Sequence, residues 1–257
     1  MKKLSKKDRI LLVVCGLIIV VITSYYGWFF WPWFGGKVSR VHERDWLCFQ
    51  DEILPSEELP IITNHSGYSR RETIRYFHDI ALRMENQPLV RTIRKWTIPL
   101  CVYIIGTPDA DDLVVLEEIF RFLNDIPGFP GIQRVFSLDE ANVQLHFADE
   151  HMPKGATGFF NILSKDSDGN LTSVDVWIRN ELPRSKKTSV LWEELLQITG
   201  PMNDTSLTAD TLFYAGTEDI PKASELDRNI IEMIYHPLIK SGMDYIQCLS
   251  IMWLYFR

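Results

Sequence analysis

The chain has 257 residues, 46% hydrophobic and 24% charged, a balance that fits a folded domain with an appendage and excludes a chain too polar to build a core. Its net charge is −7, and because the first nine residues carry five positive charges and one negative, the remainder carries −11. A body that acidic does not suit nucleic acid, whose phosphates need clustered Lys and Arg, so no nucleic-acid partner is expected.

Lys2, Lys3, Lys6, Lys7 and Arg9 precede an uncharged run from Ile10 to Gly36. About 20 apolar residues span the hydrocarbon of a bilayer. Tyr25, Tyr26, Trp28, Phe29, Trp31 and Trp33 crowd the far end as interfacial aromatics do. The run ends in bulky aromatics rather than a small-residue cleavage site, which predicts an uncleaved signal anchor. Residues 1–9 then form a cytoplasmic basic tail, 10–34 one N-terminal transmembrane helix, 35–68 a linker and 69–257 an ectodomain. Basic flanks stay cytoplasmic, so the C-terminal domain is expected in a periplasm or outside the cell, with the membrane as its partner through this helix. Cys48, Cys101 and Cys248 lie beyond the apolar run, an odd number that permits at most one internal disulfide.

"SRRETIRYFHDIALRMEN" opens with Ser69 three residues before Glu72, a capping box, and Ile74, Phe77, Ala81 and Met84 recur at helical spacing, predicting a helix over residues 70–85. "KWTIPLCVYIIG" (95–106) reads as a strand, and "DDLVVLEEIFRFLNDIPG" as the amphipathic helix after it. "ANVQLHFAD" alternates as a strand does, and "GFFNILSKDSDGNLTSVDVWIRN" reads as two strands around a turn, giving four strands in all. "DSDGN" (166–170) lacks the spacing and closing glutamate of an EF-hand and is expected to be the hairpin turn. A helix from about Ser185 to Thr199 should stop at Gly200 and Pro201, and a further helix should cover about Ser224 to Ile234. The tail "DYIQCLSIMWLYFR" is too short to span a bilayer and is expected to be a helix packed on the domain.

The chemistry of interest lies in "VLWEELLQITGPMND" (190–204). In a zinc helix of the HExxHxxGxxH type, positions 1 and 5 lie one turn apart and bind the metal. The Glu at position 2 activates a metal-bound water, and the glycine turns the chain so that a third ligand returns. Here Glu193 takes position 1, Glu194 the general-base position, Gln197 position 5, Gly200 the turn and Asn203 the third ligand position, with Asp204 next to it. Every spacing is kept and every histidine is replaced. Zinc favours imidazole and thiolate, so no zinc cofactor is expected; an oxygen set of Glu193, Asn203 and Asp204 would suit a hard divalent ion such as calcium or magnesium better. A plainer reading makes Glu193 and Glu194 solvated helix charges and Gln197 a surface residue. His146 and His151 have no neighbouring Cys or His cluster, and no G-x-S-x-G, P-loop or G-x-G-x-x-G occurs.

The ordered patterns "YFHDIAL", "IRKWTIPLCVYIIG", "EELLQITGPMND" and "ELDRNIIEMIYHPLIKSGM" resemble a bacterial domain-of-unknown-function family of membrane-anchored or secreted proteins, over about Ser69 to Met243. That family in turn resembles the metzincin metalloproteases with the ligands degraded. "DTLFYAG" (210–216) would take the place of their Met-turn, with Leu212 or Phe213 in place of methionine, and "LDRNIIEMIYHP" that of the helix after it. The resemblance implies an α+β, zincin-like mixed sheet with two long helices. An intact frame with its ligands lost leads to the expectation of a pseudoenzyme in the cell envelope that uses the old substrate cleft to bind a peptide or envelope partner. The alternative is an active hydrolase with Glu194 as general base and Gln197, or a hard ion, polarising the scissile carbonyl.

Overall fold

A computed structural model describes residues 59–84, 91–150, 152–216 and 219–257. The chain divides into two units at Leu59, of which Leu59–Arg257 is the compact, described one. The expected basic tail, membrane helix and most of the linker lie outside the described residues. Among the described residues no helix is long and apolar enough to cross a membrane.

The second unit begins at Leu59, inside the stretch read as linker, because residues 62–64 pair with the C-terminus: the Ile62 amide donates to the Tyr255 carbonyl, and Ile62 and Phe256 are both buried. Helix α1 (Arg70–Ala81) starts with the capping box expected of Ser69 and Glu72. It ends earlier than the periodicity suggested, and Met84 instead lines a hollow beside the sheet.

The sheet has five strands, β1 (Leu100–Gly106), β2 (Ile132–Val135), β3 (Val143–Phe147), β4 (Gly158–Lys165) and β5 (Leu171–Ile178), in the order β2-β1-β3-β5-β4. β1 is parallel to β2 and β3, β3 is parallel to β5, and only β4 runs antiparallel, paired with β5. One strand more exists than the sequence pattern predicted. β2 has four residues, of which only Ile132 and Val135 are buried, too few to carry a period. β1 also starts later than expected, after Pro99, which has no N–H to give a ladder.

Alternation along the strands sends Val102, Val143, Leu145, Val174 and Val176 to one face, all fully buried. That face is covered by the two longest helices, α2 (Ala110–Asn124) and α3 (Arg184–Gln197), which pack on each other and on the sheet. The opposite face carries Tyr103, Gln144, His146, Asp175 and Trp177, all half-buried. Helix α4 (Glu225–Tyr235) has a capping box between Ser224 and Asp227. Helix α5 (Tyr245–Tyr255) buries Cys248, Ile251 and Met252, so the apolar tail packs on the domain. Among the described residues the architecture is a mixed α/β fold of a five-stranded sheet and five α-helices. Cys101 and Cys248 are free thiols.

Candidate functional site

Helix α3 crosses the domain interior and is buried on nearly all sides. The reading of its acidic residues as solvated charges is corrected here: Glu194 is 7% and Gln197 4% exposed, and only Glu193 is half-buried. Charged groups reach that depth at a cost that must be offset by partners, which marks the helix as more than a surface element. Glu194 faces the start of β4. A Cβ added to Gly158 would lie 2.5 Å from the Glu194 Oε1 and 2.6 Å from the Val190 Cγ1, so only glycine lets the strand run this close to the helix.

The last turn of α3 is closed by two long-range donors and one local one. The Trp96 indole N–H donates to the Ile198 carbonyl at 2.8 Å, the Tyr235 hydroxyl to the Thr199 carbonyl at 2.8 Å and the Thr199 hydroxyl to the Leu196 carbonyl at 2.7 Å. The Ile198 and Thr199 carbonyls, which the helix end would leave open, are thereby met. Gly200 follows with φ +143, and a Cβ there would sit 2.8 Å from the Arg94 carbonyl oxygen. This is the turn the spacing anticipated, and no other residue type fits it.

Beyond the turn the chain comes back to the helix. The Gln197 carboxamide donates to the Asp204 carboxylate at 3.0 Å, so position 5 of the frame and the residue next to its third ligand position meet. Asn203 turns elsewhere: its Nδ2 donates to the Asp79 carbonyl at 3.1 Å and the Asp204 carbonyl at 2.6 Å. Of the residues singled out from sequence, the structure thus joins Gln197 to Asp204 and ties Asn203 to helix α1. Glu194 lies on the β4 side, and Glu193 on the same turn of α3.

Three further groups complete the cluster without any sequence signal of function. The Asp79 carboxylate accepts from the Thr205 hydroxyl at 2.5 Å and pairs with Arg83 at 2.9 Å. Tyr76, one turn earlier on α1, shares a hydrogen bond with Thr211, whose hydroxyl donates to the buried Asp227 carboxylate. Burial pushes the Tyr76 phenol well above its usual range, and the nearby Asp227, Asp79 and Asp204 carboxylates add to the shift. Burial likewise raises the Asp227 carboxyl, against the hydrogen bonds it accepts from Thr211, Ser224 and the Leu212 amide. Asp79 lies within the quoted "YFHDIAL" pattern, on a helical face it shares with Glu72, Arg75 and Arg83, so nothing there sets it apart as functional. The turn at 212–213 buries Phe213, whose carbonyl receives the Thr205 amide at 2.7 Å.

Zinc, which the resemblance to metzincins implies, does not fit this residue set. No imidazole or thiolate stands at the frame, and the amide N–H groups of Gln197 and Asn203 point at oxygens of the same cluster. Among the described residues no group of three or more His, Cys, Asp or Glu is gathered to hold a metal ion. What the arrangement does offer is a dense hydrogen-bonded cluster between α3, its returning chain and α1. Beside the edge of β4, Met84, Ile162, Leu163, Ser164 and Lys165 line a hollow of about 350 Å³.

No curated protein matches this sequence. The model of one family does match, over residues 70–252, spanning every element from α1 into α5, and the chain belongs to that family, the proteins of unknown function DUF2927.

Proposed function

We propose that the domain is a zincin-like scaffold without zinc chemistry, held at a membrane by the N-terminal segment and placed outside the cytoplasm, where it binds an extended peptide of an envelope partner along β4 without cutting it. The observation that carries this reading is the Gln197–Asp204 hydrogen bond, which ties position 5 of the frame to the residue beside its third ligand position. An outer edge strand adds support, because among the described residues β4 pairs only with β5 and its other side can take a further strand through main-chain hydrogen bonds. Leu163 on that strand is 53% exposed beside the hollow, a ready seat for one peptide side chain.

A peptide library presented to the full chain tests the reading in both directions. Capture without cleavage, weakened by Leu163→Lys, is the expected result. Turnover that disappears in Glu194→Gln would establish the hydrolase instead, with Glu194 as its base.

A further inference from the structure

The sheet face turned away from α2 and α3 carries a row of side chains that runs across four strands in register. Tyr103 pairs with Gln144, Gln144 with Asp175 and Asp175 with Asn161. A mostly parallel sheet normally has both faces covered by apolar packing, yet this row ends in a phenol, two carboxamides and a carboxylate. The Asp175 Oδ1 is shielded from solvent and has no hydrogen-bond partner, and the same holds for the His146 Nε2 in the adjoining row. A buried polar atom left unmet costs folding free energy, so both atoms are suited to a ligand. Burial raises the Asp175 carboxyl and lowers the His146 imidazole, consistent with two groups that lack a solvating partner.

The adjoining row forms a wall. Ile105, His146, Trp177 and Phe159 are also in register, and their rings stack, His146 on Trp177 at 4.5 Å and 6° and Phe159 on Trp177 at 4.8 Å and 4°. The face therefore presents a polar track bounded by an aromatic ridge.

We infer that this track, Tyr103, Gln144, Asp175 and Asn161 beside the Trp177 ridge, binds a neutral oligosaccharide chain laid across the strands. Three features select that ligand class. The polar groups step at the strand spacing of about 4.8 Å, close to the length of one pyranose unit, whereas an extended peptide repeats its same-face side chains every ~6.8 Å. The row mixes donors and acceptors, as paired hydroxyls require. It carries one carboxylate and no cation, so an anionic polymer is disfavoured. The track lies on the opposite face from α3 and does not depend on the peptide reading of β4.

Calorimetric titration of the full chain with chitohexaose and with cellohexaose tests the inference, in a detergent that has no sugar headgroup. Binding of at least one of them is expected, weakened about tenfold by Asp175→Ala and again by Gln144→Ala, in variants whose thermal unfolding matches the parent. No heat with either sugar would overturn it. Binding that survives both substitutions would also overturn it, by placing the sugar elsewhere. Peptide binding abolished by the same substitutions would assign the track to a protein partner and overturn it as well.

Discussion

The two ends of α3 are held by different physics. At the first turn charge does the work: Asp112 of α2, fully buried, meets Arg184 at 2.8 Å and Lys187 at 3.2 Å. At the last turn a glycine turn, the indole of Trp96, the phenol of Tyr235 and one carboxamide close the backbone. The contrast shows how the frame of a metal helix can keep its geometry without a metal: the backbone turn and neutral donors fix the returning chain. The difference also orders the mutations that should separate the ends.

The largest effect is expected at the charged end. Asp112→Ala leaves the Lys187 ammonium, 8% exposed, with only the more distant, exposed Asp109 carboxylate at 3.9 Å. Breaking one side of a buried pair costs roughly 3–5 kcal/mol, readable as a lowered urea midpoint with unchanged slope. A loss below about 1 kcal/mol would mean the pair is solvated and the comparison fails. At the other end Gly200→Ala forces a Cβ against the Arg94 carbonyl at a φ that only glycine adopts freely, an expected cost of roughly 2–3 kcal/mol. Gln197→Met is milder. It keeps the volume and removes one hydrogen bond to a half-buried carboxylate, for about 1 kcal/mol; a larger loss would show that Gln197 supports more of the site than Asp204.

Much of this was legible in the sequence where the encoding is local. Ser69 and Glu72 announce the start of α1, Asp166 accepts from the Asp168 and Asn170 amides in the hairpin turn, and Gly200 ends α3 because the chain there needs a conformation other residues avoid. β2 was hidden because a four-residue strand with two exposed central residues has no pattern to find. The site was legible as spacing and not as chemistry. Gln197 and Asp204 are seven residues apart, and the intervening turn brings them together. Asn203 and Thr205 meet α1 across more than 120 residues, a relation that no periodicity reports. The direction of the Asn203 side chain, toward the Asp79 carbonyl, follows from how α1 docks.

The C-terminal end of α3 can also be probed by pH, because the segment that closes it contains a buried amine. Lys95 precedes Trp96, donates to the Ile234 carbonyl at 3.3 Å and is held down to about 8, chiefly by burial and further by Lys240. Cys248 on α5 is pushed up to about 12, again chiefly by burial. For Lys95 the folded chain binds fewer protons than the unfolded one between about 8 and 10.5, so its contribution raises stability across that window and is lost as pH falls through 8. For Cys248 the folded chain keeps a proton that the unfolded chain releases from about 9 upward, so stability falls between 9 and 12. The two slopes add to a rise from pH 8 to 9, an offset region up to about 10.5 and a decline above it. Urea midpoints measured from pH 7.5 to 11 should trace that dome in the parent. Lys95→Met should flatten the rising limb, and Cys248→Ala should delay the decline. A parent profile level from pH 8 to 9 would mean that water reaches the Lys95 amine, and that the C-terminal end of α3 is less tightly closed than its first turn.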